Sequence, residues 1–404
     1  MKNKKKQKKW TLPRHRFVRN LLGITFGPIV KIKYGIKVER FKEQGKRPYL
    51  VLFNHQTAYD QFFVGLAFRG PVYYVASEDI FSLGALSSLI RFLVNPIPIK
   101  KQTTDPRAVI NCIKVAKEGG TIAIAPEGNR TYSGRTVYIK PSIAQLAKHL
   151  KLPIAIFKIE GGYGVHPRWS DVVRRGKMTA GVSRVIEPEE AAALTDSELA
   201  SLIERELYVD EARSDREYTS PKLAEYLERA MYVCPDCGLS EFESHGDVIE
   251  CKKCHTRIRY TKTTELVGID KPFPFKFVAD WYDYQCDYVN SLNISDMEGV
   301  IYSDEAELSE VLLYKKKLPI AKNTKIELAA DKITLRFGTE VLDLPFEAAS
   351  AVTVLGKNKL NVYFGDKVYQ LKGNERFCAL KYVNLYYRYK NIIKGNENDK
   401  FLGL

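Results

Sequence analysis

Residues 49–60 have the sequence YLVLFNHQTAYD, in which five large apolar residues run directly into a polar turn. The apolar run predicts a strand over Tyr49–Phe53. In α/β sheets, reactive groups lie where a strand ends and the chain turns into a helix. The segment therefore predicts that His55 and Asp60 lie at the edge of a sheet.

Short apolar segments alternate with helical segments over residues 45–190. Asp105-Pro106 predicts the start of one helix, because Asp caps helices and Pro suits the first turn. Gly119-Gly120 predicts its end, and Pro141–Leu150 predicts the next helix. The strand candidates are Tyr49–Phe53, Val72–Ala76, Thr121–Ala125 and Ile154–Ile159. This alternation predicts an α/β domain whose sheet is at least partly parallel.

The spacing of His55 and Asp60 restricts how they can interact. In one continuous helix, five residues at about 100° each would separate the two side chains by about 140°. If His55 lies in the loop and Asp60 in the first turn of the helix, Asp60 can accept the Nδ1–H of His55. Nε2 could then remove a proton from a substrate hydroxyl. Taken alone, this spacing favours a purely structural histidine that is bonded at a helix start.

Two further segments change that interpretation. The strand candidate Thr121–Ala125 continues into the sequence PEGNR at residues 126–130. Arg130 beside a small-residue turn suits a phosphate, which its guanidinium fork and backbone N–H groups can bind. The segment Asn95–Lys101 ends an apolar stretch with two lysines. Taken alone, Glu127 could be a solvated acidic residue of a loop. The two lysines, taken alone, could belong to an exposed basic loop.

In this order the three segments resemble the motifs of the glycerolipid acyltransferases, above all the 1-acylglycerol-3-phosphate O-acyltransferases. The resemblance covers about residues 30–190. Four family segments, NH-x4-D, G-x-I-x-I-x-R, F-P-E-G-T-R and a Pro-bearing fourth motif, fall on Asn54–Asp60, Asn95–Lys101, Ala125–Arg130 and Leu152–Ile156. The chain departs from the family pattern at Asn95, Lys101, Asn129 and Ile156, where the family has Gly, Arg, Thr and Pro. Lys101 keeps the charge but lacks the guanidinium fork.

The resemblance implies a direct acyl transfer without a catalytic cofactor. His55 would be the general base, held by Asp60. The donor would be a fatty acyl thioester, either acyl-CoA or acyl carrier protein. The acceptor would be the hydroxyl of a lysophospholipid, with 1-acylglycerol-3-phosphate, which gives phosphatidic acid, as the first expectation and another lysolipid as the alternative. The residues expected to position the acceptor's phosphate are Lys101, Glu127, Gly128 and Arg130.

The basic charge of the chain is concentrated at its N-terminus. The net charge is +15, and residues 1–40 contain nine Lys and four Arg but a single acid, Glu39. The longest apolar run there, Leu21–Val30, is about half the ~20 residues that a spanning helix needs. Basic residues beside a short apolar segment predict a helix in the interface of an anionic membrane. We therefore expect a peripheral or monotopic protein at the cytoplasmic face, although a solvated tail or a nucleic-acid contact also suits such a segment.

Four of the seven cysteines form two C-x-x-C pairs, Cys234/Cys237 and Cys251/Cys254. This spacing predicts a zinc ribbon with one structural Zn²⁺, because four thiolates leave no open position for catalysis. Two unrelated thiol pairs or a redox couple are the alternatives. His245 and His255 are expected at the surface, and the remaining cysteines (Cys112, Cys286 and Cys378) in the core. The absence of a disulfide pattern fits a reducing cytoplasm.

The C-terminal part predicts a mainly β domain. Seven strand candidates within residues 298–372 precede a helix candidate at Asn374–Lys390, a pattern that resembles a PH/GRAM-like barrel. A further helix is expected from Pro221 to Met231. The predicted organisation is a membrane-interface segment (1–40), an acyltransferase domain (41–213), a helix with the zinc ribbon (214–262), a connecting segment (263–297) and the PH-like domain with its helix (298–395).

Two other classes of function remain compatible with these features. A zinc ribbon beside a basic N-terminus could belong to a nucleic-acid-binding protein. Acids accompany the basic residues of 232–262, however, whereas a nucleic-acid ribbon is usually more one-sided. A scaffold that has kept the fold and lost the activity is the third interpretation, and the presence of His55, Asp60, Glu127 and Arg130 argues against it.

Overall fold

The apolar segments of the N-terminal half build a seven-stranded sheet. Its strands are β1 (Ile36–Val38), β2 (Leu50–Phe53), β3 (Val72–Ser77), β4 (Ile97–Ile99), β5 (Thr121–Ile124), β6 (Ile154–Glu160) and β7 (Met178–Ile186). Their order is β1-β7-β6-β2-β5-β3-β4. Every neighbouring pair is parallel except β6 and β7. The four strands that the sequence predicted are confirmed as β2, β3, β5 and β6, and so is the partly parallel α/β sheet.

The helices described in the N-terminal half of the chain are α1 (Pro13–Tyr34), α2 (Asp60–Ala67), α3 (Ala85–Leu93), α4 (Pro106–Lys117), α5 (Ser142–Leu150), α6 (Gly162–Val165), α7 (Pro188–Ala193) and α8 (Asp196–Leu207), with a 3₁₀ helix at Glu78–Ser82. The predicted cap of α4 is present, because Asp105 accepts hydrogen bonds from two backbone N–H groups of its first turn. At α8, Thr195 and Glu198 form a reciprocal capping box.

The centre of the sheet is β2, all four residues of which are buried. Its Leu50 and Leu52 belong to one apolar core together with residues of β5, β6, α4, α5 and α8. A strand that is buried on both faces between two parallel neighbours has little freedom to shift its register. The residues that follow β2 therefore start from a well-defined position.

The computed structural model describes residues 9–43, 47–99, 105–312, 317–395 and 402. The described chain forms two compact units, each assembled from separate segments. Unit 1 lies within Met1–Arg130, Thr136–Gly162 and Lys177–Val209, and unit 2 within Thr131–Arg135, Tyr163–Gly176 and Asp210–Leu404. The five consecutive segments that the sequence suggested stay a prediction.

Unit 2 contains three antiparallel sheets. The first two consist of β8 (Val233–Cys234), β9 (Gly238–Leu239), β10 (Phe242–His245), β11 (Val248–Cys251), β12 (Arg257–Tyr260) and β13 (Leu266–Gly268). The third consists of β14 (Tyr302–Glu310), β15 (Leu318–Leu328), β16 (Lys332–Phe337), β17 (Glu340–Pro345), β18 (Ala349–Leu355), β19 (Lys359–Phe364) and β20 (Lys367–Gly373). Its helices are α9 (Val278–Ser291) and α10 (Ala379–Ile393), with 3₁₀ turns at Leu227–Arg229 and Ile294–Asp296.

The third sheet has the order β17-β16-β15-β14-β20-β19-β18, with β14 between the two halves, and α10 packs against β18. The mainly β C-terminal region with a closing helix is thus confirmed. The strand candidates 300–303 and 308–314 are wrong as separate strands, because both overlap the single strand β14, whose pairing with β15 shifts register between Ala306 and Leu308. Residues 313 and 314 lie outside the described residues. The sequence prediction missed β17, whose only buried residue is Leu344, so that it lacks an apolar pattern.

The predicted helix from Pro221 to Met231 is wrong. This segment forms turns and one short 3₁₀ helix, and Tyr226 has a left-handed backbone with φ 73°. Two of its N–H groups donate to residues that are distant in sequence. The Tyr226 N–H bonds the Ser244 hydroxyl at 2.7 Å, and the Ala224 N–H bonds the Gly246 carbonyl at 2.8 Å. These tertiary hydrogen bonds and the left-handed backbone of Tyr226 thus limit the helical part of the segment to the short 3₁₀ helix.

Within the described residues, no helix combines the length and the apolar character that a bilayer crossing requires.

Candidate active site

His55 lies in the loop after β2, and Asp60 is the first residue of α2. The Nδ1 atom of His55 is 2.8 Å from Oδ2 of Asp60. The Asp60 side chain has no exposed surface, whereas 27% of the His55 side chain is exposed. The predicted pair therefore exists, and it has the predicted arrangement: the histidine is in the loop and the aspartate in the first turn of the helix.

Asp60 is held by the backbone of the loop that it closes. Its carboxylate accepts the N–H groups of Gln56 at 2.7 Å and Thr57 at 2.9 Å, and also the Thr57 hydroxyl at 2.7 Å. Because these donors all point at the Asp60 carboxylate, Asp60 also acts as the acceptor towards His55. Nδ1 of His55 then carries the proton of the neutral ring, and Nε2 is the basic ring nitrogen.

Asn54 fixes the loop from the other side. Its amide group donates to the Ile159 carbonyl at 2.8 Å and accepts the Ile159 N–H at 2.7 Å. The side chain is completely buried. It thus continues the pairing of β2 with β6 by one residue beyond the end of the strand, and it sets the position from which His55 leaves the sheet.

Glu127 reaches the same loop from the end of β5. Its Oε1 atom accepts the His55 N–H at 2.8 Å, and its Oε2 atom accepts the Val137 N–H at 3.1 Å. Burial raises the pKa of this carboxyl group to about 8, although the two N–H donors act in the opposite direction. Both carboxyl oxygens of Glu127 thus accept backbone N–H groups, and its role in substrate binding stays a prediction. Glu127 is better described as a positioning residue for His55.

Gly128 and Arg130 follow Glu127 in the predicted tight turn. Gly128 has φ 70°, and a Cβ atom at this position would meet no other atom within 4 Å. The backbone conformation is therefore the reason for glycine here. The charge of Arg130 acts on Tyr34, since it partly offsets the rise in the pKa of Tyr34 that burial causes. Arg130 and Tyr34 thus lie near the loop between β2 and α2, residues 54–59, which is called the catalytic loop below. The Tyr34 ring lies 5.2 Å from the ring of Tyr59 in this loop.

The segment Asn95–Lys101 is described only in part. Lys100 and Lys101 lie outside the described residues, and with them the prediction that Lys101 binds phosphate. Asn95, which replaces the glycine of the resembling family, has φ 43°. Asparagine adopts this left-handed conformation more readily than other residues with a side chain, so the replacement keeps the turn.

A sequence interpretation that rests on the H-x4-D spacing does not reveal the neighbours of His55. Asn54, Thr57 and Tyr34 complete the site through contacts with Ile159, Asp60 and Tyr59. A signal for Asn54 was present, because a polar residue directly after a buried strand must find a partner. No local signal indicated Tyr34, which reaches the loop from α1.

Comparison with known proteins gives three findings. Residues 35–159 match the family model described as Acyltransferase. The crystal structure of the 1-acyl-sn-glycerophosphate acyltransferase PlsC from Thermotoga maritima is similar with a TM-score of 0.40 and 21% identity, over 47% of this chain and 77% of that one. A stretch of 40 residues is 48% identical to subunit 12 of the DNA-directed RNA polymerases II, IV and V from Arabidopsis thaliana, over 10% of this chain and 78% of that protein.

The chain thus contains a segment, residues 35–159 of its α/β domain, that matches the acyltransferase family. The His55–Asp60 pair lies inside the matched region.

Unit 2 holds the cysteine quartet as a candidate metal centre. The Sγ atoms of Cys234, Cys237, Cys251 and Cys254 all lie within 4.8 Å of one another. Zinc–sulfur bonds of about 2.3 Å in a tetrahedron would separate the sulfurs by about 3.8 Å, and Cys234 and Cys254 are 3.7 Å apart. His245 and His255 are exposed and pair with Glu243 and Glu250, as predicted. The four thiols are therefore close enough to hold a single metal ion.

Proposed function

We propose that the protein transfers a fatty acyl group from an acyl thioester to the hydroxyl of a lysophospholipid, with 1-acylglycerol-3-phosphate as acceptor and phosphatidic acid as product. The donor is acyl-CoA or acyl carrier protein. The observation that carries this proposal is the contact of His55 with the buried Asp60 inside an acyltransferase-family domain. A base that is oriented in this way suits the activation of a hydroxyl group that belongs to the substrate.

In the proposed reaction, Nε2 of His55 removes the proton of the acceptor hydroxyl. The oxygen forms a bond to the thioester carbonyl carbon, and the C–S bond then breaks. The imidazolium returns the proton to the departing thiolate, so that the enzyme ends as it began. Asp60 stabilises the imidazolium in the interval. Arg130, Lys101 and the backbone at Gly128 are proposed to bind the phosphate of the acceptor.

The experiment is an acyl-transfer assay with the purified protein, labelled acyl-CoA or acyl carrier protein, and a panel of lysolipids. His55→Ala should reduce transfer at least about a thousandfold, and Asp60→Asn by about a hundredfold or more. The matched control is His149→Ala, since His149 is exposed on α5 and bonds only within its own helix. Full activity of a folded His55→Ala variant would refute the mechanism, and esterification of a lysolipid without phosphate would refute the acceptor.

We further propose that residues 1–40 hold the protein at an anionic membrane, at the cytoplasmic face, as a peripheral or monotopic enzyme. The described part of this segment supports the proposal with α1, which carries five basic residues and no acid. Phe17, Ile24 and Ile32 are exposed on this helix. Deletion of residues 1–34 should release the protein from vesicles of anionic lipid, and unchanged binding would refute the proposal.

The cysteine quartet is proposed to bind one structural Zn²⁺ within a zinc ribbon. Gly238 supports this assignment, because it follows Cys237 with φ 72° and a Cβ atom there would lie 2.3 Å from the Tyr288 hydroxyl. Metal analysis should give one equivalent of zinc, and Cys251→Ser should remove it. The seven-stranded sheet with α10 is proposed to be a PH/GRAM-like domain, which its strand order and closing helix support.

A nucleic-acid-binding ribbon is the alternative function, and the charges of the ribbon argue against it. Its basic side chains pair with acids: Arg257 with Asp270 at 2.7 Å and Arg259 with Asp247 at 3.1 Å. Paired cations are less available to phosphates. Salt-sensitive binding of single- or double-stranded nucleic acid by the Zn²⁺-loaded protein would favour the alternative.

A further inference from the structure

The burial pattern of α3 is inverted relative to that of an ordinary helix of a water-soluble domain. The buried side chain among its residues is Ser87, which donates a hydrogen bond to the Ile80 carbonyl at 2.7 Å. The large apolar side chains point outward instead: Leu86 and Leu89 are each 51% exposed, and Phe92 is 55% exposed. Surface helices normally turn such residues towards the core. The apolar face of α3 is therefore about half exposed within the described part of the chain.

The exposed face of α1 lies beside α3. The Nε atom of Arg14 donates to the Phe92 carbonyl at 2.9 Å, and its guanidinium group lies 4.1 Å from the centre of the Phe92 ring. The other side of α1 packs against the domain, since a Cβ atom on Gly27 would be 3.0 Å from the Leu66 side chain of α2. Two neighbouring helices thus expose large apolar side chains at the same end of unit 1.

The charges of this surface indicate what covers it. Neither helix contains an Asp or a Glu, whereas α1 carries five basic residues and α3 carries Arg91. A protein partner would need an acidic rim around an apolar groove. The surface of an anionic bilayer offers both features at once, with apolar chains below a layer of negative headgroups. Contiguous apolar patches are uncommon on soluble monomers unless they bind something.

We propose that α3 is a second membrane-inserting element, which enters the anionic bilayer beside α1 through Leu86, Leu89 and Phe92. This inference rests on the proposed membrane location and adds an element outside residues 1–40. Together the two helices would fix the orientation of the domain on the membrane. A domain that is inserted at one point can rotate about that point, whereas a domain that is inserted at two points cannot.

This arrangement brings the catalytic loop to the bilayer. The C-terminal end of α1 contacts that loop, with the Tyr34 ring 5.2 Å from that of Tyr59 and the ammonium group of Lys33 5.5 Å from the same ring. A lysolipid whose acyl chain stays in the membrane would then present its hydroxyl close to His55. Insertion of α3 would thus help the lysolipid acceptor to reach His55 from the membrane.

The first test measures the partition of the protein into vesicles of phosphatidylglycerol and phosphatidylcholine by co-sedimentation. The double variant Leu86→Ser/Leu89→Ser should lower the partition coefficient about tenfold or more, since two half-exposed leucines lose their transfer into lipid. The matched control is Val341→Ser in β17 of unit 2, where the valine is 56% exposed, and it should bind as the unchanged protein does. Equal binding of the double variant and the control would overturn the proposal.

The second test observes the insertion directly and does not depend on a loss of function. A tryptophan introduced as Leu89→Trp should be quenched by brominated lipid in the vesicles, over the background of the unchanged protein, while Val341→Trp should not. Absence of quenching at Leu89→Trp would overturn the proposal. Concentration-dependent self-association without lipid that the double variant abolishes would overturn it in favour of a second copy of this chain.

These tests do not use turnover. They can be made with His55→Ala protein, so that a failure of the proposed acyl transfer would leave α3 insertion standing. Conversely, if α3 does not insert into the vesicles, the proposed acyl transfer is not contradicted.

Discussion

At the residue scale, Asp60 does more than touch His55. Its carboxylate collects two backbone N–H groups, one hydroxyl and the imidazole, and none of its surface is exposed. Charge-assisted hydrogen bonds of this kind are roughly twice as strong as neutral ones. The same contacts that shape the loop therefore also fix the tautomer of His55, so that a single side chain supplies structure and basicity.

At this scale, the buried carboxyl group of Glu127 predicts that the stability of unit 1 depends on pH. Burial raises the pKa of its carboxyl group to about 8, above the ordinary value of 4.5. A group whose pKa is higher in the folded state than in the unfolded state stabilises the fold. This stabilisation is complete when the pH is below the pKa of the unfolded state, and it is lost as the pH rises through the pKa of the folded state. We expect unit 1 to lose stability between about pH 4.5 and pH 8, by up to about 1.4 kcal/mol per pH unit.

The measurement is urea unfolding of the protein and of Glu127→Gln at several pH values across this window. Glutamine does not titrate, so the variant should be least stable relative to the unchanged protein at low pH, and the difference should shrink as the pH rises. Glu204→Gln, on an exposed position of α8, is the control and should follow the unchanged protein. Parallel curves for Glu127→Gln and the unchanged protein would contradict the raised pKa.

At the scale of the elements, the site depends on where β2 ends. Two parallel neighbours, β5 and β6, hold this strand in the middle of the sheet. Asn54 extends the pairing with β6 by side-chain bonds to Ile159, and Glu127 arrives from the end of β5. The ends of β2, β5 and β6 therefore fix the position of the loop that contains His55. Ligands commonly bind at this carboxyl edge of parallel sheets.

The substitution Asn54→Ala tests this dependence. It would leave the N–H and the carbonyl of Ile159 without partners in a buried place, at a cost of about 2–5 kcal/mol in the free energy of unfolding. Transfer activity should fall as well, because His55 loses its fixed starting point. Asp105→Ala removes the cap of α4 and should cost only about 1 kcal/mol, with no change in activity. If Asn54→Ala costs no more than Asp105→Ala in urea unfolding, the strand extension is unimportant.

At the scale of the whole molecule, the catalytic pair and the cysteine quartet belong to different compact units. Each unit has its own apolar core. Structural zinc contributes directly to the stability of the domain that binds it. Loss of the proposed Zn²⁺ should therefore lower the stability of unit 2 first.

We expect calorimetry to resolve two unfolding transitions, of which a strong zinc chelator lowers only one. Cys251→Ser should lower the same transition without a chelator. The control is Cys112→Ser in α4, a buried position of unit 1, which should lower the other transition instead. A chelator that shifts both transitions equally, or neither, would contradict independent stabilisation by zinc.

Local sequence alone was sufficient for much of the result. The apolar runs of β2, β3, β5 and β6, the capped starts of α4 and α8, the C-x-x-C pairs and the His55–Asp60 spacing all predicted what the structure contains. Each of these features depends on residues within a few positions of one another, where burial periodicity and capping leave a direct trace in the sequence.

Tertiary structure decided the rest. It made Glu127 a buried support of His55 across 72 residues of sequence, turned the expected helix at Pro221–Met231 into turns, and left the apolar face of α3 outward. Hydrogen bonds and packing between distant segments outweigh local propensities of a few tenths of a kcal/mol per residue. No local pattern specifies which distant partner a side chain will meet, so the sequence indicated His55 and Asp60, while the folded chain determined what holds them.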